Sequence, residues 1–157
     1  MKIRVLYPQG KENRLISELQ SEYILKMSRT IDVKLVAVKS KSSDRDSAAD
    51  KRKNESNKLF EQITSKDFVI IMDEKGKSHK SSIEFSADLR KIIENNNSRI
   101  TFILGGPYGF SEEMYARANL KWQLSNMTMN HHIARLVLLE QLYRSYTIWQ
   151  KLPYHNS

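Results

Sequence analysis

A glycine-rich bend, Gly105-Gly106-Pro107-Tyr108-Gly109, sits directly behind the apolar run Ile100, Phe102, Ile103 and Leu104. Residues without side chains at a strand-to-helix bend let backbone N–H and C=O groups approach a ligand closely, so the bend is a candidate cofactor site. The same residues also suit a tight βα turn that binds nothing, and an isolated double glycine more often does that. The spacing is not GxGxxG, and the chain holds no GxxxxGK[ST] phosphate loop. A second candidate runs from Ser125 to His132, where Thr128 or Asn130 is placed to cap a helix on which His131 and Arg135, four residues apart, share a face. A helix amino terminus flanked by His131, His132 and Arg135 would welcome an anion. Adjacent histidines with no acidic or third histidine partner at ligand spacing make no metal signature, and no metal is expected. Tyr154 and His155 follow Pro153 in a terminal peptide, which frays unless something holds it down. With no G-x-S-x-G elbow and no carboxylate pair at an expected strand end, hydrolase chemistry finds no support.

Alternating strands and helices must position these groups. Ile3, Val5 and Leu6 mark a first strand over 2–7, stopped by Pro8 and Gly10. Leu15, Ile16, Leu19, Tyr23 and Met27 recur at helical steps, which predicts an amphipathic helix buried along that face. A β-branched run over 32–38 predicts a second strand. The serine-rich stretch behind it, with Lys39, Lys41, Arg45 and Lys51 among Asp44, Asp46 and Asp50, reads as a mobile charged segment, and helical character resumes near Asn54. The uninterrupted run 68–72 predicts a central strand ending at Asp73, with a turn at Gly76. Ser81 or Ser82 caps a helix carrying Ile83, Phe85, Leu89, Ile92 and Ile93. A strand over 99–104, a helix capped by Ser111, a short strand over 120–124 and a long helix from about His131 complete the series. The pattern is that of an α/β fold with a largely parallel sheet. The last helix is apolar around most of its circumference, so more than one neighbour must cover it, and a symmetric dimer is a common way to do so.

A length of 157 residues suits one domain, 1–157, able to bury a core without disulfides. The absence of cysteine excludes a disulfide framework, a thiolate zinc site and a cysteine nucleophile. The apolar run at the amino terminus is too short for a signal-peptide core or a membrane span, so a cytoplasmic protein without membrane association is expected. A formal charge of +8 favours a polyanionic partner, with nucleic acid the leading one, although charge alone would serve an anionic membrane surface equally well.

The segments FVIIMDEKGK, FILGGPYGFS, WQLSNMTMNHHIARLVLLEQLYRSYTI and LPYHNS, in that order from about Phe68 onward, resemble the ribosomal RNA large subunit methyltransferase H family of the SPOUT, or α/β-knot, superfamily. That resemblance implies a single-domain fold with a parallel sheet, helices on both faces and a carboxy-terminal trefoil knot, which physics alone would not predict because threaded chains are rare. It implies S-adenosylmethionine as methyl donor, held by Met72, by Gly105 and Gly106, and by Ser125, Asn126, Met127, Thr128, Met129 and Asn130. It implies a homodimer in which the tail of one subunit completes the site of the other. The substrate it implies is N3 of a pseudouridine in a hairpin loop of large-subunit ribosomal RNA, within the ribosome. On that footing His131 and Arg135 orient the base or its phosphate, while Tyr154 and His155 close over it with His155 as proton acceptor. The chain departs from the family pattern at Asn130, where proline is usual, at Asn156, where a basic residue is common, and in the opening LYPQGK. A catalytically silent RNA- or ribosome-binding relative is the alternative reading, and a nucleotide-responsive regulator a third.

Overall fold

The structure is a computed structural model and describes residues 1–156. Five strands alternate with five helices: β1 (Lys2–Pro8), α1 (Arg14–Met27), β2 (Asp32–Val38), α2 (Ala48–Glu61), β3 (Asp67–Lys77), α3 (Ser82–Asn95), β4 (Arg99–Leu104), α4 (Glu112–Arg117), β5 (Leu120–Trp122) and α5 (His131–Trp149). The strands pair in the order β2-β1-β4-β3-β5, every pair parallel. Parallel strands need covered crossovers, and both faces of this sheet are covered.

Side chains alternate across a strand, and the core divides accordingly. Ile3, Val5, Ile70, Met72, Ile100, Phe102 and Leu104 point to one face, against Met27 of α1, Phe85 and Leu89 of α3, and Leu138, Leu139 and Leu142 of α5. Leu6, Val69, Ile71 and Ile103 point to the other, against Leu59 of α2 and Met114 of α4. Helix α5 lies between α1 and α3, which covers much of its apolar circumference.

Four expectations change. Helix α2 starts at Ala48, inside the stretch expected to be mobile, because Ser47 Oγ accepts from the Asp50 amide at 3.1 Å while Ser56 and Leu59 supply a buried side. Strand β3 runs on through Gly76 to Lys77, since β5 lies alongside it. Strand β5 stops at Trp122, short of Leu124, whose segment turns away from the sheet into the loop before α5. On α1, Leu15 and Leu19 are exposed, because the buried side is turned toward Gln20 and Met27.

One polar cluster ties the amino-terminal ends of three strands together. The buried Asp67 carboxylate accepts from Arg99 Nε at 2.7 Å, Thr101 Oγ1 at 2.9 Å, the Thr64 amide at 2.8 Å and Arg4 Nη2 at 3.3 Å. Burial pushes its proton affinity up, but the hydrogen bonds from Arg99, Thr64 and Thr101 outweigh that and hold the carboxyl well below the usual range. A depressed folded-state pKa contributes stability that is present above the unfolded value and lost as pH falls. Asp67→Asn is therefore expected to cost about 2 kcal/mol in urea unfolding at pH 7, with the deficit shrinking as pH drops below about 4.

Candidate active site

A cleft of about 670 Å³ opens where β3, β4 and β5 end. Open α/β sheets present ligand sites at the carboxyl ends of their strands, and the volume falls within the roughly 300–1,000 Å³ of small-molecule sites. Residues 72–75 within β3 form one wall, the bend 104–110 a second, and residues 123–125 and 127–131 a third, with Tyr115 and Ala134 filling between.

The bend is close-packed from behind. A Cβ on Gly105 would stand 3.0 Å from the Phe110 ring, and one on Gly106 would stand 2.5 Å from Glu55 Oε1. Gly109 adopts φ +78°, a backbone state that disfavours other residues. The Ser111 amide donates to Ser56 Oγ at 2.9 Å, so α2 supports the bend that follows β4.

The third wall is shaped by its own polar groups. Ser125 Oγ accepts from the Met127 amide at 3.0 Å, and Asn130 Oδ1 caps α5 by accepting from the His132 amide at 2.9 Å.

The sequence-selected residues divide by position. Met72, Gly105, Gly106, Ser125, Met127, Thr128, Met129, Asn130 and His131 line the cleft, whereas Asn126 lies in the same loop but off its wall. Arg135 is buried at 3% exposure beneath the loop, its guanidinium 3.9 Å from the Tyr7 ring centroid and 3.3 Å from His132 Nδ1. His131 stacks on His132 at 4.2 Å between ring centroids. Burial, then the neighbouring His132 and Arg135, push the His131 imidazole below its ordinary proton affinity.

Tyr154 and His155 lie elsewhere on the same chain. Tyr154 donates to Glu140 Oε1 at 3.2 Å under the Arg144 guanidinium, and Arg144 Nη1 stands 3.4 Å from His155 Nδ1. Arg144 is thirteen residues along α5 from His131, about 20 Å at the helical rise. The tail therefore does not reach this chain's own cleft.

Sequence reasoning missed Asp73, Phe110, Tyr115 and Gln123 as cleft residues. Tyr115 donates its phenol hydrogen to Asp73, and burial, followed by that carboxylate, pushes its ionisation up to about 12. The available signal was the position of Asp73 at the end of a fully buried strand.

The family model described as "Predicted SPOUT methyltransferase" matches residues 1–155. The chain belongs to that family. Its relatives include proteins named ribosomal RNA large subunit methyltransferase H from Bdellovibrio bacteriovorus, 42% identical over 139 residues and 88% of each chain, and from Syntrophotalea carbinolica, 38% identical over 141 residues and 90% of each chain. The protein of that name from Flavobacterium johnsoniae is 33% identical over 99% of each chain. Among solved structures, a probable methyltransferase from Bordetella pertussis Tohama I aligns at TM-score 0.50 and 12% identity, over 91% of this chain and 95% of that one. At that identity the likeness shows the fold alone. In this SPOUT methyltransferase the three walls stand on β3, the bend after β4 and the loop before α5. Among the described residues no group of acidic, histidine or cysteine side chains is placed to hold a metal, and no helix is long and apolar enough to cross a membrane.

Proposed function

We propose that the chain transfers a methyl group from S-adenosylmethionine to N3 of a pseudouridine in a hairpin loop of large-subunit ribosomal RNA, acting in the cytoplasm as a homodimer of single-domain subunits. The observation that carries the reading is the meeting of the glycine bend and the 123–131 loop around one cleft of small-molecule size. Gly105 and Gly106 line the cleft where an adenosine-sized ligand would meet their backbone, with Met72 as an apolar wall beside them. When bound, S-adenosylmethionine supplies an electrophilic methyl group on a sulfonium.

The rest is positioning and proton removal. The backbone of 105–106 and of 125–130 fixes the donor, so that the attacking nitrogen meets the methyl carbon in line. An unpaired loop base is what such an enzyme needs, since a ring nitrogen inside a duplex is out of reach. The chain's +8 charge suits that partner. His131 at the cleft mouth orients the base or its phosphate, and Arg135 acts from beneath it by fixing the His131–His132 pair.

The separation of the tail from its own cleft favours a site shared between two copies. Leu15, Leu19, Leu25 and Ile133, all exposed on α1 and α5, supply apolar surface for such a dimer. In this reading Tyr154 and His155 of one copy close the cleft of the other, and the carboxy-terminal segment is threaded as a trefoil knot.

Two measurements test the proposal together. Isothermal titration should show S-adenosylmethionine binding, and tritium from the labelled donor should enter a pseudouridine of whole ribosomes or free large-subunit RNA on nucleoside mapping. Binding without incorporation into any RNA would favour the catalytically silent RNA-binding relative, which the changed residue Asn156 after the Tyr-His pair also suits.

A further inference from the structure

Glu55 stands on α2, outside the walls of the cleft, yet it reaches the back of the glycine bend. Both carboxylate oxygens crowd the Cα of Gly106, at 2.5 and 2.9 Å from the position a Cβ would take. Oε1 is buried and has no hydrogen-bond partner among the described residues. The nearby contacts of α2 leave it so: Lys51 Nζ lies over the Tyr108 ring at 5.5 Å, and Ser56 is engaged with Ser111. An unpaired buried carboxylate oxygen costs stability, and a helix this polar offered many positions where a glutamate would have been solvated. Burial accordingly pushes the Glu55 carboxyl up.

We propose that Glu55 is a specificity-determining residue of the methyl-donor site, a negative charge held behind the one-residue-thick wall at Gly106 so that the cleft prefers a cationic occupant. This rests on the S-adenosylmethionine reading above. Gly106 lines the cleft, and Glu55 stands directly behind it where a side chain would otherwise be. A charge there acts through protein rather than water, and a cation in the cleft supplies the electrostatic partner that the apo protein lacks. Loss of charge, not of shape, is therefore what the site should feel.

Glu55→Gln keeps the shape and removes the charge. Isothermal titration of the purified protein with S-adenosylmethionine, and with 5′-methylthioadenosine, which keeps the adenosine and sulfur but no cationic group, separates the two. The variant should bind S-adenosylmethionine about tenfold more weakly and 5′-methylthioadenosine within about twofold of wild type, with an unchanged or raised Tm without ligand. Equal losses for both ligands, no loss for either, or a lowered Tm would overturn the proposal and leave Glu55 a structural brace. Failure of both Glu55→Gln and Glu55→Ala to fold would do the same. A wild-type protein that binds neither ligand would instead strike the methyl-donor reading itself.

Discussion

His155→Ala is expected to slow methyl transfer by about 10²- to 10³-fold in single-turnover assays while leaving S-adenosylmethionine affinity unchanged. N3 of the base is a weakly acidic imide nitrogen, so its proton must leave as the methyl arrives, and a positioned imidazole is suited to take it near neutral pH. The unchanged affinity is expected because the walls given to the donor are the bend 105–106 and the loop 125–130, whereas His155 is assigned to the base. Arg144 Nη1, which can only donate, faces Nδ1 of His155 at 3.4 Å. The tail must swing off Arg144 before Nδ1 is free to act, which a partner's cleft would allow. A variant that retained full activity would remove the tail from the chemistry; one that lost donor affinity in step with rate would place it in the cofactor pocket.

Gly76→Ala is expected to destabilise the protein by more than about 3 kcal/mol in urea unfolding and to weaken donor binding at least tenfold in whatever fraction stays folded. A Cβ at Gly76 would stand 2.6 Å from the Trp122 carbonyl carbon and 2.7 Å from that of Lys121. Both are backbone atoms, and no rotamer change relieves them. Trp122 pairs with Met72 and again with Lys77, so β3 bulges between these two residues and brings Gly76 against β5. Pushing β5 away shifts the loop 123–131 that forms the third wall. Fluorescence of Trp122, 2% exposed in the core, would report the displacement directly. Wild-type stability in this variant would mean that β5 is not held by that close approach.

Much of this protein is written in local pattern. The period-two and period-3.6 runs of apolar residues placed the five strands and most of the helices, since the alternation of inward and outward side chains is a property of the chain before it folds. The glycine bend after Leu104 and the loop before His131 were visible as candidate sites on the same local grounds, and family likeness joined them to one chemistry. Three features were decided only by packing. The first turns of helix α2, residues 48–53, read as part of a mobile charged segment, yet two small buried contacts, Ser56 and Leu59, anchor the helix as the support of the bend. Gly76 looked like a turn, because sequence cannot say that another strand's backbone passes within reach. Glu55 carries no spacing that sets it apart from the other charges around it. Its burial behind Gly106, like the remoteness of the tail from its own cleft, depends on which elements become neighbours, and non-local proximity is the one quantity that local spacing does not contain.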